Sequence, residues 1–376
     1  MTNRAILPLC FLCILPLTAI GLPILYWINL ITTGIPTYLF WAIFLSIPVA
    51  VIFSFAMPQA RFSIFLQRIG ACTTGFMIYL ILTLSVGALV YFICRLTHLM
   101  APLSDTPVIA IRAGYAVLAV IASIYIYGIF QAFILRTTSY EISLSKQIAR
   151  PLRIAMIADL HIGITTGYRT IGRIAEKINS LQPDLVVIAG DIFDDNYNAL
   201  RWPEETIHQF RTIKSRLGVY ACLGNHDMFR DDSRCDDFFQ RSGIHVLCDE
   251  SVLLDDSFYL CGRHDYSTTS RKKAKSITDD LDHNKPIIML DHQPNCIYDE
   301  WRAGVDLVCC GHTHNGQFFP INLMYKFINF VSYGHKSQKD QHVIVTSGAG
   351  FWGPPLRVGT FNEVVCIDIT SNDHQA

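Results

Sequence analysis

Charge is what this 376-residue chain has least of, and the shortage is uneven. Asp, Glu, Lys and Arg make up 16% of it against 51% hydrophobic residues, and mean hydropathy is +0.33. Soluble domains carry about 25% charged residues, so an ordinary soluble fold for the whole chain is excluded. Between Arg4 and Arg61 no charged residue occurs, whereas beyond Arg136 charges alternate with apolar runs as in a globular domain. Neither sign is in excess. The net charge of −1 and isoelectric point near 6.9 leave no electrostatic footprint for nucleic acid. No CxxC pair finds a matching partner pair among the 12 scattered cysteines, so neither a zinc knuckle nor a disulfide framework is indicated. Four of them (Cys10, Cys13, Cys72, Cys94) lie in apolar stretches, and the set reads as buried free thiols in a reducing compartment.

What is present divides near residue 136. Residues 5–30, 38–55, 69–94 and 112–135 are apolar stretches, each near the ~20 residues that cross ~30 Å of hydrocarbon as a helix. The first is long for a cleaved signal peptide and is followed at once by further spans. With four spans, Arg4, Arg61, Arg68, Arg136, Lys146 and Arg150 fall on one side, and Arg95 and Arg112 on the other. The Lys/Arg bias then puts both termini and the large domain in the cytoplasm, at a bacterial inner membrane. No Asp, Glu, Lys or His interrupts the span interiors, which reads as an anchor rather than a transport path. The expected division is a transmembrane part over 1–136, a linker over 137–150 and a catalytic domain over 151–376.

Beyond the linker, period-2 and period-3.6 patterns alternate. Strands are predicted over 152–158, 185–189 and 219–223, and helices over 170–180, 204–216 and 236–242. Short strands follow at 245–247, 252–254, 258–261, 287–290, 307–310, 341–346 and 363–369. The front half is βαβ-like and argues parallel pairing; the rear is richer in strands.

Five of these strands end in the same kind of residue. They run into Asp159-Leu160-His161, Gly190-Asp191-Ile192-Phe193-Asp194, Gly224-Asn225-His226-Asp227, Asp291-His292-Gln293-Pro294 and Gly311-His312-Thr313-His314. Loops beyond the carboxyl ends of strands in open α/β sheets converge on one crevice. Residues i and i+2 of an extended chain point to one side, so Asp-x-His and His-x-His each aim two side chains together. The donors are carboxylates, imidazoles and an amide, with no thiolate, which favours Mn²⁺, Fe or Zn²⁺ over copper(I) or an iron–sulfur cluster. They outnumber what one ion needs, and two divalent ions about 3.5–4 Å apart would use them all. Such a site stays net positive and suits an anionic phosphate substrate.

In order and spacing these motifs, spanning Asp159 to His314, resemble the calcineurin-like metallophosphoesterases. The resemblance implies a β-sandwich flanked by helices (α/β/β/α). It assigns Asp159, His161, Asp191 and His314 to one metal, and Asp191, Asn225, His292 and His312 to the other. His226 would then neutralise or protonate the leaving oxygen, with Asp227 orienting it. Membrane spans ahead of this domain, with Gly311-His312-Thr313-His314-Asn315-Gly316-Gln317 near its end, resemble a membrane-associated subgroup related to UDP-2,3-diacylglucosamine hydrolases. That implies a phosphodiester or pyrophosphate bond in a lipid-linked substrate. Asn315 stands where a glycine is usual, and Asp195 follows Asp194 where Ser/Thr protein phosphatases have arginine.

Arg357, in a Pro-rich stretch, and Asp265, after a strand, are weaker candidates for contacting substrate. The aromatic-rich loop 318–330 reads either as core filling or as a greasy patch meeting membrane or acyl chains. Two rival readings remain: a tethered phosphohydrolase acting on a soluble nucleotide, and a membrane sensor or transport protein that only binds a phosphorylated ligand.

Overall fold

The computed structural model describes residues 3–54, 61–97, 107–194, 197–227, 233–328 and 330–371; Asp195 lies outside them. The chain forms two compact units, Met1–Tyr127 and Gly128–Ala376. The first holds α1 (Asn3–Ile31), α2 (Thr37–Ser54), α3 (Arg61–Leu96) and most of α4 (Pro107–Phe133), each over an expected apolar stretch. Among the described residues, Phe62–Cys94 and Pro107–Phe133 are long and apolar enough to cross a membrane, while the apolar parts Leu17–Ile31 and Thr37–Ile52 are shorter. Ile43, Ile52, Leu89 and Phe92 turn outward, a surface suited to lipid. Trp27 Nε1 donates to the Ile111 carbonyl at 3.2 Å and Tyr125 Oη to that of Cys72 at 2.5 Å.

The second unit contains β1 (Leu135–Leu144), β2 (Leu152–Ile157), β3 (Leu185–Ala189), β4 (Val219–Cys222), β5 (Ile244–Val246), β6 (Glu250–Leu254), β7 (Phe258–Gly262), β8 (Ile287–Leu290), β9 (Leu307–Cys310), β10 (Gly334–Gln338), β11 (Gln341–Val345) and β12 (Asn362–Ser371). They build two six-stranded sheets, in the orders β1-β12-β2-β3-β4-β5 and β10-β11-β9-β8-β7-β6. Parallel pairing runs from β2 to β5, as the βαβ pattern predicts, and through β7, β8, β9 and β11 in the other sheet.

Alternation explains the layering. In β2, Ile154 and Met156 face the core between the sheets, with Val187, Leu260, Ile288, Leu307, Ile344 and Ile367. Ala155 and Ile157 face the other way, toward helices. There α5 (Tyr168–Leu181) contributes Ile171, Ile174 and Ile178, one stripe of a 3.6-residue period. Alongside it α6 (Pro203–Arg211) and α7 (Ser233–Ser242) add Phe210 and Phe238. On the far sheet, α8 (Ala274–Thr278) and α9 (Ile297–Arg302) bury Ile277 and Trp301 against Met289 and Val308. The result is the expected α/β/β/α sandwich.

Three expectations change. The stretch expected as a linker supplies β1, which pairs in parallel along all of β12 and buries Ile142 and Leu144. The helix predicted over 204–216 stops at Arg211, because the Asn179 side chain binds the Thr212 carbonyl at 2.8 Å and the Lys214 amide at 2.7 Å. The loop 318–330 contains a helix, α10 (Ile321–Ile328).

Candidate metal centre

Each ligand motif sits just past a strand, but not as extended chain. Asp159 (φ 54°), His161 (45°), Asp191 (51°), His312 (69°) and His314 (48°) all lie in the left-handed region. The paired side chains therefore converge through sharp turns, not through the strand alternation that the sequence spacing implied. Such backbone costs about 1–3 kcal/mol per residue and persists only where its surroundings over-determine it. Here they do: Asp159 N donates to Gly190 O at 3.0 Å, and His161 N to Asp191 O at 3.1 Å. Asn315 also takes a left-handed conformation (φ 50°, ψ 34°), which asparagine tolerates as glycine does. At Gly224 a Cβ would fall 2.1 Å from Asp191 Oδ1, so no larger residue fits there without displacing that carboxylate.

Among the described residues three groups of donors result, each with ligand atoms within 4.8 Å of one another: His161–Asp194–His226, and the two made of expected ligands, Asp159–His161–His314 and Asp191–His292–His312. Asp191 joins them, because its Oδ2 is 3.1 Å from His292 Nε2 and 3.8 Å from His161 Nε2. His161 Nε2 and His314 Nε2 face each other at 3.1 Å, and His314 Nε2 is 3.6 Å from Asp159 Oδ1. Four imidazoles and two carboxylates thus aim at one small volume. Buried polar atoms at its lining lack partners: Asn225 Oδ1 and His161 Nδ1 make no hydrogen bond. Buried polar atoms are rarely orphaned, so these fit one or two divalent cations. The oxygen and nitrogen donors fit the harder ions.

Supporting contacts aim the ligands. His292 Nδ1 lies 2.8 Å from the Ala189 carbonyl, which can only accept, so Nε2 is the nitrogen turned to the centre. Asp159 accepts from His312 N through both oxygens, at 3.0 and 3.1 Å. Asp191 Oδ1 accepts from His226 N at 2.9 Å. Asp227, expected to orient His226, accepts instead from three buried amides: Phe193 N (2.8 Å), Gly224 N (2.9 Å) and Ile192 N (3.2 Å). His226 itself is half-buried, with its ring 5.0 Å from that of His161.

Charge is unevenly placed. Burial would raise the Asp191 carboxyl, yet His292, His161 and His226 hold it well below the usual range. Burial pushes Asp159 up to about 6 against the pull of His292. Burial would lower His292, but Asp191 and Asp159 push it up to about 10. The negative charge that draws a proton there is the charge a cation would meet. His312 is pushed down to about 4 and His314 well below the usual histidine range, both chiefly by burial, so they stay neutral with lone pairs available.

Two expected substrate contacts lie elsewhere. Arg357 is fully buried, and its guanidinium donates to the carbonyls of His314 (3.0 Å), Ser347 (2.7 Å) and Gly350 (2.6 Å). Asp265 is buried too, accepting from Gln293 Nε2 at 3.0 Å and Ser267 N at 2.9 Å. Neither presents a surface to a substrate; both fasten loops that carry ligands. Sequence reasoning missed Asp194, whose Oδ1 is 3.7 Å from His161 Nδ1, although it stands in a quoted motif. It also missed the buried pairs behind His292, where Arg263 and Arg271 meet Asp291 and Arg263 meets Glu300. These residues are far apart in sequence and carried no spacing signal.

The fold and the ligand geometry define a class, and comparison with known proteins agrees with it. The calcineurin-like phosphoesterase family profile matches residues 152–316. An uncharacterized metallophosphoesterase of Helicobacter pylori is 32% identical over 217 residues, 56% of this chain and 58% of that one. A transmembrane protein with metallophosphoesterase domain of Danio rerio is 30% identical over 232 residues, 57% of this chain and 52% of that one. The UDP-2,3-diacylglucosamine pyrophosphatase LpxG of Chlamydia trachomatis is 26% identical over 234 residues, 49% of this chain and 70% of that one. The chain spans between half and three-fifths of the length of the first two relatives.

Proposed function

We propose that this is a membrane-anchored phosphoesterase using two divalent ions, Mn²⁺, Fe or Zn²⁺, to cleave a phosphodiester or pyrophosphate bond in a lipid-linked substrate. One observation carries the reading: Asp191 lies between two groups of donors, placed to serve both. Asp159, His161, Asp191 and His314 would hold one ion, and Asp191, Asn225, His292 and His312 the other. When bound, such ions supply positive charge to a phosphoryl group and acidify a water. His226 delivers a proton to the leaving oxygen, and its backbone hydrogen bond to Asp191 fixes where the ring starts from. Asp227 holds the loops of Asp191 and His226 in register.

The anchor is the helical part ahead of the domain, and the Lys/Arg bias puts the domain on the cytoplasmic side of a bacterial inner membrane. Anchoring favours a substrate that itself resides in the bilayer, and a relative named for UDP-2,3-diacylglucosamine points the same way.

The test uses full-length protein in detergent, stripped by chelator and reloaded with each metal. Substrates are bis-p-nitrophenyl phosphate, a soluble nucleotide diphosphate, and UDP-2,3-diacylglucosamine in mixed micelles. Metal-dependent hydrolysis that disappears in Asp191→Asn supports the reading. Preference for the soluble nucleotide favours the tethered phosphohydrolase, and no turnover of any substrate overturns hydrolysis altogether.

A further inference from the structure

We propose that α10 is an interfacial helix whose outward face rests on the surface of the lipid bilayer, bringing the mouth of the metal centre onto it. The proposal depends on the membrane anchoring put forward above. Its first support is that α10 is built inside out. Asn322 is its buried side, donating through Nδ2 to the Gly359 carbonyl at 3.3 Å. Leu323, Met324 and Phe327, with Phe319 just ahead of the helix, are exposed; Phe327 is 89% accessible. A helix on a water-facing surface shows the opposite arrangement. Contiguous outward apolar groups mark an interaction site.

What identifies lipid as the occupant is where this helix is tied down. The chain from Phe351 to Gly359 holds α10 on one side and the last turns of α4 on the other. Phe319 N donates to Val358 O at 2.8 Å, while Arg357 N donates to Gly128 O at 3.0 Å. The ring of Phe133 meets that of Phe351 with centroids 6.1 Å apart. A Cβ on Gly128 would strike Leu356 at 2.5 Å, so the α4 backbone lies hard against this segment. Phe130, Phe133 and Ile134 are exposed at the end of that helix, which is long and apolar enough to cross a membrane. Beside them stand exposed arginines: Arg173 Nη1 donates to the Phe133 carbonyl at 3.2 Å, and Arg136 reaches Gln131. Apolar rings followed by guanidinium groups are what a chain shows on leaving a bilayer through anionic headgroups.

The same segment reaches the centre. Trp352 is exposed with its ring 6.2 Å from that of His226, and it exchanges two hydrogen bonds with Gln317, of 2.8 and 3.0 Å. Gln317 lies shortly before α10. Gln317 therefore ties Trp352, at the edge of the site, to the segment that leads into α10. A lipid-linked phosphate would enter over α10 and Trp352 without crossing water.

The test places an added tryptophan on this face in the full-length chain. Phe327→Trp and, independently, Met324→Trp are reconstituted in nanodiscs of phosphatidylcholine and phosphatidylglycerol. Leu253→Trp, on the exposed strand β6, is the aqueous control. Acyl-brominated lipids should remove most of the added emission in the two α10 variants and none in the control, with iodide doing the reverse. Added emission quenched by iodide alone overturns the proposal. Added emission sheltered from both quenchers also overturns it, because a second copy or another protein then covers the face. Native emission reports on the anchoring separately: Trp27 and Trp41 lie in α1 and α2, and wild-type emission untouched by bromolipid would sink the anchor itself.

Discussion

Asp227→Asn isolates one function of the metal centre with little change of shape. The native carboxylate divides three buried amides between two oxygens: Oδ1 takes Phe193 N, and Oδ2 takes Gly224 N and Ile192 N. An asparagine has one oxygen. Turned to satisfy Gly224 and Ile192, it sets its NH₂ against the Phe193 N–H, leaving two donors face to face in a dry site. A buried orphan of this kind costs about 1–3 kcal/mol, and the strain falls on the loop of Asp191. At 1.4 kcal/mol per tenfold, that is roughly 5- to 150-fold, overlapping the 10- to 100-fold usually lost on removing a ligand's supporting contact. The expected result is Mn²⁺ affinity weakened by about 10- to 100-fold, with kcat/KM on bis-p-nitrophenyl phosphate falling at fixed subsaturating metal and recovering at excess. Competition against a chromophoric chelator measures the first and steady-state kinetics the second. Affinity within twofold of wild type would refute the idea that these amide contacts hold Asp191 in place.

Other perturbations separate the remaining roles. His226→Ala should lower turnover of a diester with a poor leaving group by about 10²–10⁴. It should cost far less on a p-nitrophenyl ester, whose leaving oxygen needs no proton; equal losses on both would remove His226 as the acid. Arg357→Met leaves the Ser347 and Gly350 carbonyls without their donor, while that of His314 keeps Gln317 N at 3.0 Å, and should cost about 3 kcal/mol, a fall of roughly 6–12 °C in Tm by thermal melting; an unchanged Tm would mean that those contacts contribute nothing. His335 and His342 lie with Nε2 and Nδ1 3.0 Å apart, and burial lowers both pKa values, that of His342 helped by His335. Protonation is therefore resisted in the folded state, so this stability is complete above the unfolded histidine pKa of about 6.5 and is lost as pH falls below it. Replacing His342 by Gln should flatten the acid side of the Tm–pH curve, and an unchanged slope would exclude the pair as its cause.

The residues that gather at the candidate centre were legible in the sequence, although strand alternation is not what brings them together. Strand alternation predicts that Asp159 and His161 share a side, and they do share a site. They meet because both residues turn left-handed past the end of β2, a conformation the spacing does not encode. Glycines were the better signal: Gly190, Gly224 and Gly311 each precede a ligand, and a Cβ at any of them would press within 2.6 Å of another ligand side chain. The sandwich was readable for a related reason, since β3, β8 and β9, and β2 from Ile154 onward, are buried on both faces and so appear as short uninterrupted apolar runs. What could not be read depends on distant partners. The 137–144 stretch becomes a strand only because β12, from the far end of the domain, lies alongside it.

Arg357 and Asp265 show the same limit at the site. A charged residue in a loop reads as a contact for solvent or substrate, because isolated burial of charge is costly. Arg357 escapes that cost through carbonyls from His314, Ser347 and Gly350, which converge only in the folded chain. Asp265 does so through Gln293, the residue after His292. Arg357 therefore sits one contact behind a candidate ligand and Asp265 one contact behind the neighbour of another, where they hold the loops in place. The chemistry of this centre is written in its strand ends, while its rigidity comes from side chains whose partners the sequence does not reveal.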